Sequence, residues 1–226
     1  MRHLLLVTLF ISSLVSSEIN YELGKEIYET TCISCHGENG NAQTDIKLIV
    51  RPRNLSASIL NQEQMYKTIK KGSHYWGSAA DIMPAFESIY SENQLRSVAL
   101  YISQSFNPNA KERVKTLYAK SEKIPQSREA KMLKRGKKIY LRNCRWCHGV
   151  TGLGDGEAAR NPNESIYPYN LRKTLLTNEQ IFLYAKHGGK FWGTDKNDMP
   201  SWQHKYDDFT LKSVVRYIDE EFRGNK

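Results

Sequence analysis

Apolar positions along this 226-residue chain recur at helical spacing, and no stretch sustains the alternation of a strand followed by a hairpin turn. Residues 22–31 predict a short amphipathic helix, and residues 130–143 a second one of the same kind. A helix is predicted to start at Asn61, with Gln64 three residues on as a capping-box pair; it buries Met65 and Ile69 and stops at Gly72. Thr177, Gln180 and Gly188 mark the same start and stop further along. Leu95, Val98, Ala99, Ile102 and Phe106 share one helical face behind another cap pair, Ser91 and Gln94. A last helix is expected from about Asp208 to Phe222. The fold class is therefore all-α, with long loops between short helices.

These helices come in two sets. Leu23-Gly24-Lys25-Glu26-Ile27-Tyr28 matches Arg135-Gly136-Lys137-Lys138-Ile139-Tyr140 at an offset of 112. After a four-residue insertion the offset becomes 116. Pro52, Asn54 and Leu55 then pair with Pro168, Asn170 and Leu171; Gly72 pairs with Gly188, Trp76-Gly77 with Trp192-Gly193, and Met83-Pro84 with Met199-Pro200. Two copies are too few for a solenoid and read as two similar domains. The expected division is 18–107 and 130–226, joined by a linker over 108–129 that contains Pro108 and Pro125. A short helix near Val114–Tyr118 fits within that linker.

Residues 1–17 read as a secretory signal: Arg2, an apolar run from Leu4 to Val15, and small residues before a cut near Ser17-Glu18. Twelve apolar residues fall short of the about 20 that span a bilayer; retention as an anchor is the alternative. The expected location is the periplasm. Formal charge is +9 for the whole chain. Residues 107–135 hold nine Lys or Arg against Glu112, Glu122 and Glu129, so +6 falls in that stretch. Such a segment either keeps a linker solvated or steers the protein to an acidic partner or, weakly, to an anionic membrane surface. Nucleic acid is not an expected partner of an exported protein of this kind.

All four cysteines lie in two copies of one motif, Cys32-Ile33-Ser34-Cys35-His36 and Cys144-Arg145-Trp146-Cys147-His148. Cys-x-x-Cys-His is the attachment signature of a c-type haem. Each cysteine can add to one vinyl group of the porphyrin, and the histidine then lies beneath the ring as an iron ligand. A redox dithiol or a single four-cysteine zinc site would leave both histidines unexplained. The inserted Gly152-Leu153-Gly154-Asp155-Gly156 lacks the Lys-Ser/Thr of a phosphate loop and follows no strand, so it reads as a loop passing close to the haem edge.

With Met-Pro some fifty residues after each motif and a closing amphipathic helix, residues 18–226 resemble the cytochrome c family, in the tandem form of the two-haem periplasmic cytochromes c. That resemblance implies two cytochrome c-like domains, each a few short helices wrapped around a covalent haem, and methionine as the distal iron ligand. Of five methionines, Met83 and Met199 recur in register; Met65 is expected to be core packing and Met132 has no counterpart. The implied ligand pairs are His36 with Met83 and His148 with Met199. His74, His187 and His204 are competitors without partners at the repeat offset. The resemblance also implies a proline carbonyl, from Pro52 or Pro168, accepting the proximal imidazole N–H, and an indole N–H, from Trp76 or Trp192, reaching a haem propionate. Ordinary turn chemistry and packing against the porphyrin edge are the respective alternatives. Tyr28 and Tyr140 are expected near the haem.

The implied function is single-electron transfer between respiratory redox partners, a quinol-oxidising complex on one side and a terminal oxidase or reductase on the other. No catalytic residues are expected. Two alternatives are a haem subunit of a periplasmic dehydrogenase or reductase complex, and a two-haem peroxidase. Methionine at both distal positions weighs against the peroxidase.

Overall fold

A computed structural model describes residues 18–44, 46, 51–78, 83–161, 166–193 and 199–224. The expected leader, 1–17, lies outside the described residues. No helix among the described residues is long and apolar enough to cross a membrane, and those residues form helices without strands.

Each copy opens on a helix that runs into its cysteine motif. These are α1 (Tyr21–Ile27) and α6 (Gln126–Ile139), the latter starting four residues before the expected boundary at 130. The periodicity predicted one continuous α-helix into the motif. Instead a π-helical turn intervenes in both copies, at Tyr28–Cys32 and Tyr140–Cys144. Single π turns inside α-helices are rare and often sit at functional sites. The cysteines and histidine then occupy single turns, α2 (Ile33–His36) and α7 (Arg145–His148).

The remaining helices carry the caps that the sequence encodes. Helix α3 (Gln62–Tyr75) has a complete Asn61/Gln64 capping box, and Gly72 breaks it with φ +74°. Helix α4 (Glu92–Phe106) has the Ser91/Gln94 box, and Ala110–Ala119 forms α5. Helix α8 (Asn178–His187) has the Thr177/Gln180 box and ends at Gly188. Helix α9 (Asp208–Phe222) starts at Asp207, whose carboxylate accepts from the Thr210 amide. A cap of this kind contributes roughly 1 kcal/mol.

Helices α1 and α4 cross closely, as do α6 and α9, because a glycine sits at each crossing. A Cβ on Gly24 would lie 2.0 Å from the Ser97 carbonyl oxygen, and one on Gly136 1.9 Å from that of Ser213. Two core clusters result. Ile27, Tyr28, Met65, Ile69, Leu95, Val98 and Ile102 build the first, which confirms Met65 as core. Tyr140, Phe182, Leu183, Trp192, Leu211, Val214 and Phe222 build the second.

The segment read as a linker is more than a spacer. Helix α5 is ten residues long, and its Val114, Leu117 and Tyr118 pack against the second core. Tyr118 meets the Phe182 ring edge-on, with centroids 5.6 Å apart. Arg113 stands over the Trp192 ring at 5.3 Å and donates to the Ala57 carbonyl. Among the described residues that cover has no counterpart over Trp76, which is half-buried, whereas Trp192 is fully buried.

The two copies meet through matched residues related by the offset of 116. The Asn54 amide donates to the Gly193 carbonyl (3.1 Å) and the Asn170 amide to the Gly77 carbonyl (2.8 Å). Gln64 and Gln180 donate to each other's side-chain oxygens at 2.8 and 3.0 Å. Their remaining N–H groups reach the Leu175 and Ile59 carbonyls, both at 2.7 Å. Each amide oxygen also accepts from its own cap residue, Asn61 or Thr177. Both amides thus use two donors and two acceptors while buried, as polar groups removed from water require. The capping glutamines, legible as local helix signals, also join the two copies.

Candidate functional site

The same local construction appears twice. After each motif the chain turns sharply at a glycine, Gly37 with φ +75° and Gly149 with φ +77°. The buried tyrosine before the motif holds that turn: Tyr28 and Tyr140 each donate to the following glycine's carbonyl at 2.7 Å. Burial pushes both phenols well above the ordinary tyrosine range, so they remain protonated donors. Tyr28 packs on Phe106 and Tyr140 on Phe222, each with centroids 5.0 Å apart. Tyr101 and Tyr217 add a second ring contact to each tyrosine, at 5.3 and 5.4 Å, so the last helix of each copy fixes its motif through aromatic packing.

Each motif histidine anchors Nδ1 on a backbone carbonyl. Nδ1 of His36 lies 3.3 Å from the Arg53 carbonyl, and Nδ1 of His148 lies 3.0 Å from that of Tyr169. A carbonyl only accepts, so Nδ1 carries the proton and Nε2 is the unprotonated nitrogen of the neutral ring, the form that ligates a metal. Burial lowers the His36 pKa, which suits a neutral ligand, and outweighs the opposing bond to Arg53. A loop carbonyl orients each imidazole as expected, but the acceptors are Arg53 and Tyr169, the residues after Pro52 and Pro168, not the prolines themselves. In the second copy the reason is visible. The Pro168 oxygen faces Gly154, where an added Cβ would lie 2.6 Å from it, and the next carbonyl turns to the imidazole.

The indole expectation is corrected as well. Trp76 donates to the Lys67 carbonyl (2.9 Å) and Trp192 to that of Leu183 (3.2 Å). An indole has a single N–H, and both are committed to helix backbone rather than to a propionate. Their role is to hold the segment after each Gly72/Gly188 break against the preceding helix.

The four cysteines form no disulfide. Cys32 and Cys144 are mostly buried, and burial together with the neighbouring motif cysteine pushes each thiol up to about 12. Cys32 and Met83 both pack on the first core cluster, and Cys144 and Met199 both on the second. The methionine segment returns along the helix it follows. Ser73 and Gly189 donate backbone N–H groups to the Met83 and Met199 carbonyls at 2.9 and 2.8 Å. Phe86 and Trp202 then donate to Ile69 and Ala185 at 3.2 and 3.1 Å. Only glycine allows this approach. Gly72 and Gly188 have φ of +74° and +79°, and a Cβ would lie 2.7 Å from the Met83 oxygen or from the Ser201 nitrogen.

Two cysteines, an imidazole protonated at Nδ1 and a thioether beside one apolar cluster form a donor set that fits a covalently tethered haem. His74 and His204 are exposed, and His187 stacks on Phe191 with centroids 4.8 Å apart. The inserted glycine loop closes on the second motif: the Gly154 amide donates to the His148 carbonyl and that of Gly156 to Cys147. The π turns and the Arg53/Tyr169 acceptors were missed by the sequence reading. The repeat register carried a signal for the acceptors, since 53 and 169 are also related by 116.

The sequence model of the family described as cytochrome c oxidase, cbb3-type, subunit III matches residues 20–102 and again 131–218. A cbb3-type cytochrome c oxidase subunit CcoP from Azospirillum sp. (strain B510) is 24% identical over 208 residues, covering 86% of this chain and 60% of that protein. The Azospirillum brasilense protein of the same description is 25% identical over 202 residues, with the same coverage. The chain thus spans about 60% of the length of these relatives. Among solved structures, the Kuenenia stuttgartiensis reducing HAO-like protein complex Kustc0457/Kustc0458 aligns with a TM-score of 0.47 and 22% identity, over 88% of this chain and 95% of that one. The duplicated family match carries with it two covalently attached c-type haems and a role in electron transfer. The chain belongs to the family described as cytochrome c oxidase, cbb3-type, subunit III.

Proposed function

We propose that this protein is a periplasmic two-haem cytochrome c that passes single electrons between respiratory redox partners, in two domains over 18–107 and 130–226. Cys32 and Cys35 tether one haem, with His36 and Met83 as iron ligands. Cys144 and Cys147 tether the other, with His148 and Met199. The observation that carries this reading is the repetition, in register, of a histidine whose Nδ1 is already bonded and a methionine held by backbone beside the same core cluster.

The bound haem supplies the one-electron iron couple. The protein's residues close the site: each histidine is oriented by a backbone carbonyl, and each methionine is held on a tied-back segment. A thioether donor favours the reduced metal and raises the potential relative to two histidines. With histidine and methionine as its two protein ligands, neither centre would offer a vacant place for substrate, which favours carriage over catalysis.

The relatives named as cbb3-type oxidase subunits favour a terminal oxidase as the electron acceptor. They also support a second reading, in which this chain is the haem subunit of a larger redox complex. Copurification with a catalytic subunit from the native host selects the second reading; recovery as a separate protein selects the first.

Met83→Ala and Met199→Ala, made separately, test the ligands. Each is expected to lower the potential of one haem and remove half of the far-red methionine–iron band of the oxidised protein. Retention of that band in both variants would overturn the assignment, and peroxide turnover by the unaltered protein would overturn the carrier reading.

A further inference from the structure

Arg53 occupies a place that the repeat does not duplicate. Its backbone carbonyl accepts a hydrogen bond from Nδ1 of His36, while its side chain reaches into the second copy. The guanidinium donates to the Tyr184 hydroxyl at 2.6 Å and stands 5.1 Å from the centroid of the Tyr169 ring. Tyr169 in turn is the residue whose carbonyl accepts from Nδ1 of His148. Two residues in contact across the domain interface thus connect the two motif histidines.

The matched position breaks the symmetry. Tyr169 is the repeat counterpart of Arg53, and Thr68 is that of Tyr184. Thr68 bonds within its own helix, to the Gln64 carbonyl at 2.8 Å. The bridge therefore runs in one direction, from the first copy to the second, beside the matched pairs of the same interface. Its cation is half-buried and held over an aromatic face, where charge is screened less than on the open surface. A fixed positive charge beside both histidine anchors would oppose loss of an electron from a haem held at either.

We propose that Arg53 is a positioning residue for both haems: it aligns the two histidine anchors across the domain interface and holds both reduction potentials up through its charge. The proposal rests on the haem reading given above. It implies that the two centres are tuned together rather than by their own domains alone.

The test is a spectroelectrochemical titration of the two-haem protein with Arg53→Gln, Arg53→Lys and, as a control, Arg51→Gln, an exposed cation in the same loop. Arg53→Gln is expected to lower both potentials by about 59 mV, a tenfold fall in the reduced-to-oxidised ratio of a one-electron couple. Arg53→Lys keeps the charge and restores most of that shift, while Arg51→Gln leaves both potentials in place. Potentials unmoved by Arg53→Gln, a shift confined to one haem, or an equal fall in the Lys variant would each overturn the proposal. Haem content and the histidine-ligated spectrum are recorded for every variant. Their absence in the unaltered protein breaks the haem reading, whereas their persistence with unmoved potentials breaks only the role of Arg53.

Discussion

The two copies are alike inside and opposite outside. Both keep the π turn before the motif, the tyrosine bonded to the following glycine, the glycine at the helix crossing and the tied-back methionine. Along the helix entering each motif, the surface differs. Glu22, Glu26, Thr30 and Ile33 in the first copy stand where Lys134, Lys138, Arg142 and Arg145 stand in the second, a change from −2 to +4. Ser34 and Glu38 are matched by Trp146 and Val150, which are 56% and 58% exposed. The interior is constrained by one cofactor geometry, so it repeats. The exterior meets whatever approaches each domain, and opposite charge there suits two different partners. The basic excess noticed in the sequence is therefore structured: much of it lies on α6 and around the second motif, not only in the connecting segment.

The largest test concerns the shared interior. Gly188→Ala places a side chain at φ +79° against backbone atoms of the methionine segment. Left-handed backbone alone costs a non-glycine residue about 1–2 kcal/mol, and the displaced segment adds to it. A fall in Tm is expected, with weakening of the methionine–iron band of the second haem only. Gly72→Ala should do the same to the first haem. If either variant alters the opposite haem instead, the copies are not independent sites, and visible spectra of each would reveal it.

A middle-sized effect is expected at the surface. Lys134→Glu with Lys138→Glu should slow electron exchange with an acidic redox protein by about tenfold at low salt and flatten its dependence on ionic strength. The reverse change, Glu22→Lys with Glu26→Lys, should leave that partner's rate unchanged or raise it. Stopped-flow rates measured across salt concentrations decide the point; equal responses at the two faces would dissolve the comparison. Screening limits the range of these charges to about 10 Å at 0.1 M salt.

The smallest effect lies in the caps of the last helices. Asp207 begins α9 where Ser91 begins α4. The hydrogen bond with Thr210 holds the Asp207 carboxyl below its ordinary value of 3.8. The folded state thus binds this proton less readily than the unfolded state. The stabilisation is present above about pH 4 and is lost as pH falls through the lower folded value. Amide exchange in the first turn of α9 should quicken in that window while that of α4 does not, and Asp207→Ser should remove the difference.

Much of this was legible because it is local. Asn61/Gln64, Ser91/Gln94 and Thr177/Gln180 are caps read within three residues, and each appears as a complete box. The helical stretch in the connecting segment was legible too, though its docking on the second core was not. Neither was the destination of the groups that leave their own segment. Trp76 and Trp192 reach back to helix carbonyls, and the imidazoles pass over Pro52 and Pro168 for the next carbonyl.

The sequence by itself determined the two attachment motifs, the repeat, the capped helices and the methionines at matched positions, since these depend on spacing along one chain. Tertiary structure alone decided which carbonyl anchors each histidine, that two capping glutamines form the buried joint between the copies, and that Arg53 spans from one histidine anchor to the other. Those outcomes depend on where residues more than a hundred positions apart come to rest, and close packing of the two copies sets that.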